Sequence, residues 1–256
     1  MQRSFSQAFD LSDELVLITG GGTGLGFGMA RCLIEVGAKV VIVGRREAVL
    51  QEAVEQLGEA ACYRVHDMTD LEASKKLIAS IEADVGRVTT LINNAGHIVK
   101  KPIEETSDEE FELLVKTHVT GSFALSKAVI PSMKAAKRGH ILFTASMASL
   151  FGLPNVIAYA AAKSAFLGMV RSMATELSPD GIRVNAIAPG WIESKLLLKT
   201  VEADPERKKR VLSRTPMGRF GQAEDIGWAA VYLCSPAANF ITGACLPVDG
   251  GISIGF

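Results

Sequence analysis

Short apolar runs alternate with amphipathic helical stretches along the whole chain, and this alternation constrains the fold more than any other feature. Leu15-Val16-Leu17-Ile18 is closed by Thr19 and glycines and reads as a buried strand. A helical pattern follows, with Met29, Ala30, Leu33 and Ile34 on one face, and stops at Gly37. Further strands are expected at Val40–Val43, Cys62–His66, Thr89–Asn93, Ile141–Thr144, Ile182–Ala188 and Cys245–Val248. Helices are expected at Glu47–Leu57, Leu71–Asp84, Ala158–Leu177 and Ala223–Cys234. Glu109–Ala136 reads as one long helix that carries Gly121, with Pro131 near its end. Strand-helix alternation predicts an α/β protein, a doubly wound parallel sheet with helices on both faces and right-handed crossovers. Ligands of such sheets bind beyond the carboxyl ends of the strands, where the strand order reverses. Asp67, Asn94, Ser146 and Pro189 all fall at or just after those ends.

Composition narrows the class. The chain has 256 residues, 48% hydrophobic, enough for one large core without a linker or repeat. A formal net charge of -1 gives no electrostatic case for nucleic acid or an anionic membrane. The run Arg207-Lys208-Lys209-Arg210 follows Glu202, Asp204 and Glu206 and reads as a solvated helix face. Cys32, Cys62, Cys234 and Cys245 form no C-x-x-C pair, and no His lies at ligand spacing from them, so no metal is expected. Met1 to Asp13 lacks an apolar leader, and no stretch approaches a membrane span. The expectation is a cytoplasmic protein acting on a small molecule.

Between the first strand and first helix lies Thr19-Gly20-Gly21-Gly22-Thr23-Gly24-Leu25-Gly26. Glycines let the backbone turn tightly and approach a ligand, and the helix N-terminus suits a pyrophosphate. The segment lacks the G-K-[ST] ending of a P-loop, which argues against phosphoryl transfer. The second strand ends in Gly44-Arg45-Arg46, where an NAD site would place an acidic residue on the ribose 2′-OH. Paired guanidinium groups match a 2′-phosphate, which favours NADP(H), with NAD(H) the alternative. Against this stands a reading of both Arg as solvated side chains opening a helix.

Tyr159 and Lys163 are four residues apart, so their Cβ atoms share a helix face roughly 5–6 Å apart. An ammonium beside a phenol stabilises phenolate, which makes an acid/base for a hydroxyl or carbonyl oxygen. The spacing alone is common on helix surfaces. Ser146 lies thirteen residues upstream, with Ser149 as its nearby competitor.

Together the glycine turn, Asn93-Asn94-Ala95-Gly96, Ser146 with Tyr159-x-x-x-Lys163, Pro189-Gly190 and Asp249-Gly250-Gly251 resemble the short-chain dehydrogenase/reductase family over nearly the whole chain. The resemblance implies a single-domain Rossmann fold of seven parallel strands over residues 1–256, and the segment 192–214 reads as a substrate lid, because long excursions after the nicotinamide strand tend to carry specificity. It implies that Tyr159 is the acid or base, that Lys163 holds the nicotinamide ribose and lowers the Tyr159 pKa, and that Ser146 hydrogen-bonds the reacting oxygen. Gly20, Gly22, Thr23, Gly24, Leu25 and Gly26 would take the pyrophosphate side, with Arg45 and Arg46 at the second strand. Asp67 and the Met68 backbone would meet adenine, and Asn94, Ala95 and Gly96 the adenosine ribose. Pro189, Gly190, Ile192 and Ser194 would cradle the nicotinamide, while Asn93 would tie strands together.

One departure stands out. The family places Asn in an N-x-x-G pattern of the long helix, and this chain has His118-Val119-Thr120-Gly121. Either the His118 backbone keeps a kink and a water-holding carbonyl, or its imidazole titrates near pH 7 in a proton path, or the ring is simply packed. The run from Asn94 to Pro102, Ser146-Met147, and Arg214-Thr215-Pro216 with Arg219-Phe220-Gly221 resemble gluconate 5-dehydrogenase-like members. That implies a secondary alcohol–ketone oxidoreductase acting on a sugar, sugar acid or polyol, with Lys100 and Lys101 placed to attract an acid. Leu196-Leu197-Leu198 suits an apolar substrate instead, so a 3-oxoacyl thioester reductase stays open, as does a non-catalytic dinucleotide-binding regulator. The family also implies a homotetramer, consistent with Phe123, Leu125, Phe166 and Met169 on the two long helices.

Overall fold

The computed structural model describes residues 4–194, 197 and 204–255. Ser4 opens a short helix, α1 (Phe5–Phe9), through a capping box with Gln7. The hydrophobic pattern gave no sign of this helix, because none of its residues is buried. The first crossover follows as β1 (Leu15–Thr19), α2 (Gly24–Glu35) and β2 (Lys39–Gly44). Next come α3 (Glu47–Leu57), β3 (Ala61–Val65), α4 (Ala73–Asp84) and β4 (Thr90–Asn93). The second half contains α5 (Asp108–Val115), α6 (Gly121–Ala135), β5 (Gly139–Thr144), α7 (Ile157–Leu177) and β6 (Ile182–Pro189). It closes with α8 (Pro205–Ser213), α9 (Ala223–Cys234) and β7 (Cys245–Val248).

Among the described residues seven strands form one sheet in the order β3-β2-β1-β4-β5-β6-β7, every neighbouring pair parallel. Register aligns Ile18 with Ile42 on one side and Ile92 on the other. Side chains alternate between two apolar faces, which is why the strands read as unbroken hydrophobic runs. One face packs Leu17, Val41, Leu91 and Phe143 against α4, α6 and α7 through Ile81, Leu125 and Phe166. The other packs Val16, Ile18, Ile42 and Ile92 against α2 and α9 through Met29, Leu33 and Ile226.

The expected single helix over Glu109–Ala136 is not one helix. It is α5, a π-helical turn over Lys116–Thr120, and α6. A π-turn inserts one extra residue into the α spiral, and here it turns His118 into the interior. The four apolar residues set aside for a subunit contact also divide. Leu125 and Phe166 belong to the core, Met169 is partly buried, and Phe123 is 53% exposed. No helix among the described residues is long and apolar enough to cross a membrane.

Candidate active site

Strand order reverses between β1 and β4, so their carboxyl ends open a crevice. The glycine turn leaves β1 there and the Asn94–Gly96 loop leaves β4 beside it. Gly20 has a φ of 66°, and a Cβ on Gly26 would lie 2.3 Å from the Gly20 carbonyl oxygen. Any larger residue at Gly26 pries the α2 N-terminus off the turn, and the free N–H groups of a helix start suit an anion. Gly24, Leu25 and Gly26 form the first turn of α2, and Thr23 is its N-cap without a side-chain capping bond. Gly24 faces open space, and Gly22 lies against Val49. This exposed helix start fits a pyrophosphate.

Arg45 and Arg46 follow β2, both exposed, and Arg46 is the N-cap of α3. Arg45 pairs with Asp67 at 3.8 Å across the ends of β2 and β3. Asp67 Oδ1 accepts from the Thr69 N–H and hydroxyl, and this Thr69 contact chiefly holds the carboxyl below its usual range. Met68 is buried in the core, and its carbonyl oxygen lies where a Cβ on Gly121 would fall, 2.4 Å away.

The β4 loop is tied to the glycine turn by hydrogen bonds that no motif specified. Asn94 and Ala95 N–H both donate to Thr19 Oγ1 at 2.9 Å. The Asn94 amide donates to the carbonyls of Thr19 and Gly20, so its side chain is a strut between the two loops. Asn93 ties β4 to α6 rather than strand to strand, donating to Ser126 Oγ at 3.1 Å. Thr19 stands immediately before the glycines, the one sequence signal that pointed to it.

Ser146, Tyr159 and Lys163 come together at the ends of β5 and α7. Ser146 is buried, and its Oγ accepts from Ala148 N–H, capping the turn over Met147–Ser149. Lys163 is 3% exposed and its Nζ donates to the Thr144 carbonyl at 2.6 Å. Nζ lies 5.7 Å from the Tyr159 ring centroid and 4.9 Å from that of Phe166. Burial lowers the Lys163 pKa to about 7. Burial also pushes the Tyr159 phenol up, with the Ser146 hydroxyl beside it pulling down. In the chain alone, burial and Ser146 are what move the Tyr159 phenol, and the lowering by Lys163 that the resemblance implies is not among them.

His118 is 1% exposed, and its ring meets Tyr159 edge-on at 5.9 Å and 86°. Burial, then the Lys163 charge, lowers its pKa to about 3. An imidazole titrating near pH 7 is thus corrected to one that is neutral at that pH, while the helix kink is present as the π-turn.

At the β6 end, Pro189 is the last strand residue and Gly190 N–H donates to Val248 O at 3.0 Å. Ile192 bridges to Gly221, and Ser194 Oγ accepts from Leu197 N–H. Leu196 and Leu198 of the leucine run, and much of the expected lid between 195 and 203, lie outside the described residues.

Comparison with known proteins shows the family and the fold. A family model described as enoyl-(acyl carrier protein) reductase matches residues 20–253. The chain is 37% identical to gluconate 5-dehydrogenase of Gluconobacter oxydans, over 98% of this chain and 99% of that one. It is 39% identical to the inactive 2-(S)-hydroxypropyl-CoM dehydrogenase 2 of Xanthobacter autotrophicus, over 88% and 99%. A gluconate 5-dehydrogenase from Burkholderia cenocepacia, solved with NADP and tartrate, superposes with a TM-score of 0.93 at 32% identity, covering 99% of this chain and 100% of that one.

Proposed function

This chain belongs to the short-chain dehydrogenase/reductase family and is an NAD(P)(H)-dependent oxidoreductase of secondary alcohols and ketones; we propose that it uses NADP(H) on a sugar acid, sugar or polyol. One observation carries the site assignment: Ser146, Tyr159 and Lys163 converge beside the glycine turn, at the carboxyl edge of the sheet. Residues 1–256 act as a single dinucleotide-binding and catalytic domain, with 192–214 as the substrate lid.

The glycine turn and α2 N-terminus hold the pyrophosphate, Arg45 and Arg46 the 2′-phosphate, and Asp67 the adenine side. When bound, the nicotinamide supplies or accepts the hydride. During oxidation Tyr159, as phenolate, takes the hydroxyl proton; during reduction it returns that proton to the developing alkoxide. Ser146 turns its hydroxyl to the reacting oxygen, and Lys163 holds the ribose and keeps phenolate accessible once charged.

Gluconate 5-dehydrogenase relatives over nearly the full length support a polyhydroxy substrate. A homotetramer in a reducing, cytoplasmic setting follows the same reading, supported by exposed Phe111, Leu113 and Phe123 and by four free cysteines. Purified protein is assayed with NADPH and NADP+ against sugar acids, polyols and 3-oxoacyl thioesters. Turnover of a keto sugar acid or polyol is expected. Turnover of thioesters alone replaces the substrate class, and tight NADPH binding without any turnover replaces the enzyme with a regulator. Sedimentation reads the assembly.

A further inference from the structure

Gly96 lies flat against the ring of His118. A Cβ built on Gly96 would fall 2.0 Å from Cε1, 2.5 Å from Nε2 and 2.6 Å from Nδ1 of that imidazole, its three nearest neighbours. Gly96 is not among the residues of positive φ, so its backbone accepts Ala, and the atoms nearest to the added methyl group all belong to the ring. The same ring reaches back to the next residue. His118 Nε2 is 2.8 Å from His97 O and 3.1 Å from His97 N, so either tautomer satisfies it on the backbone of one residue. Its edge abuts Tyr159, and His97 lies beyond at 6.0 Å between ring centroids.

Nε2 is therefore engaged by the main chain. A proton passing through the ring has only Nδ1 to enter by, and Nδ1 is buried without a hydrogen-bond partner among the described residues. Protonation there creates an imidazolium in a desolvated site facing Lys163, with the titratable groups of Tyr159 and His97 also against it.

We propose that His118 and Gly96 form a matched lock, in which the neutral imidazole clamps the His97 peptide, buttresses Tyr159 and carries no proton during turnover. His118 is thus a positioning residue that sets the loop from Asn94 to His97 against the acid/base. The proposal rests on the reading of Tyr159 as that acid/base.

A double-mutant cycle tests it. Gly96→Ala, His118→Ala and the double variant are compared in kcat/KM, in NADPH affinity by fluorescence titration, and in Tm. Gly96→Ala is expected to cost at least about tenfold in the native background and no more than about twofold once the ring is gone, because contacting residues couple. An equal cost in both backgrounds overturns the lock. Should His118→Ala not fold, His118→Asn, which lacks the far edge of the ring, takes its place. His118→Asn is also expected to retain both limbs of the native pH profile, and a lost limb overturns the neutral role. The affinity arm needs no turnover. A chain that binds NADPH but reduces nothing sinks the oxidoreductase reading, while the coupling in affinity still decides the lock.

Discussion

Lys163 Nζ donates to the Thr144 carbonyl at 2.6 Å, joining α7 to the end of β5 two residues before Ser146. Its ammonium is desolvated there, and its pKa of about 7 lies well below the ordinary 10.5. Anionic and hydroxyl groups of a dinucleotide favour the charged form and raise that pKa. NADPH binding at pH 8 is therefore expected to take up a proton. Calorimetry in buffers of differing ionisation heat reads this directly, and a buffer-independent binding heat at pH 8 would contradict it.

Tyr159→Phe removes the hydroxyl but keeps the ring that packs against His118. Turnover is expected to fall by about 10²–10⁴-fold, the usual contribution of a positioned acid/base. NADPH affinity should stay within a few-fold of native. Ser146→Ala should also slow turnover strongly, and Ser149→Ala should not. Near-native turnover by Tyr159→Phe removes the mechanism.

Arg45 is 72% exposed in its side chain, and its 3.8 Å pair with Asp67 is too wet to matter for stability. Its worth lies in a 2′-phosphate, where a charge-assisted hydrogen bond contributes about 1.5–3 kcal/mol. Arg45→Ala is expected to lower the NADP+ over NAD+ ratio of kcat/KM by roughly ten- to hundredfold at unchanged Tm. An unaltered ratio returns Arg45 to the role of a solvated helix-opening residue.

Glu14 is 4% exposed at the opposite edge of the sheet. Its carboxylate accepts from Thr90 and from Arg138, with His140 at 3.8 Å. Burial raises the Glu14 pKa, but His140, Thr89 and Arg138 together pull it below 4.5. Its stabilisation is present above about pH 4.5 and is lost as pH falls through the lowered value. Burial lowers the His140 pKa from 6.5 to about 4, so the unfolded chain binds that proton first. Both effects have the same sign. Tm is expected to fall from pH 6.5 downward; Glu14→Gln starts from a lower Tm at pH 7, keeps the His140 part of the fall, since Glu14 is among the groups that raise the His140 pKa, and lacks the carboxylate part below about pH 4.5. Parallel Tm profiles for the two proteins would show that this cluster does not govern acid stability.

Much of this was legible in the residues. α3, α9 and β7 occupy their expected spans, because Gly58 stops one helix and apolar periodicity marks the others. Tyr159 and Lys163 drew attention by their helical spacing, and the family resemblance joined Ser146 to them through its offset of thirteen residues. The π-turn was not legible. Lys116–Thr120 contains no Pro or Gly, and the buried His118 ring lies against Gly96, a residue more than twenty positions away in the chain. The Thr19 strut and the Glu14 cluster were equally hidden, since their partners lie more than seventy residues away in the chain.

By itself the sequence determined the periodic and local features: strand-helix order, a parallel sheet buried on both faces, a glycine turn before a helix, and a Tyr–Lys pair on one helical turn. Those follow from backbone geometry and neighbouring side chains. Tertiary structure alone decided the electrostatic state of the site. Lys163 near pH 7, a raised Tyr159 and a neutral His118 all arise from desolvation and from groups brought together across strand ends. Burial is a property of the packed chain, and no spacing within a single element encodes it.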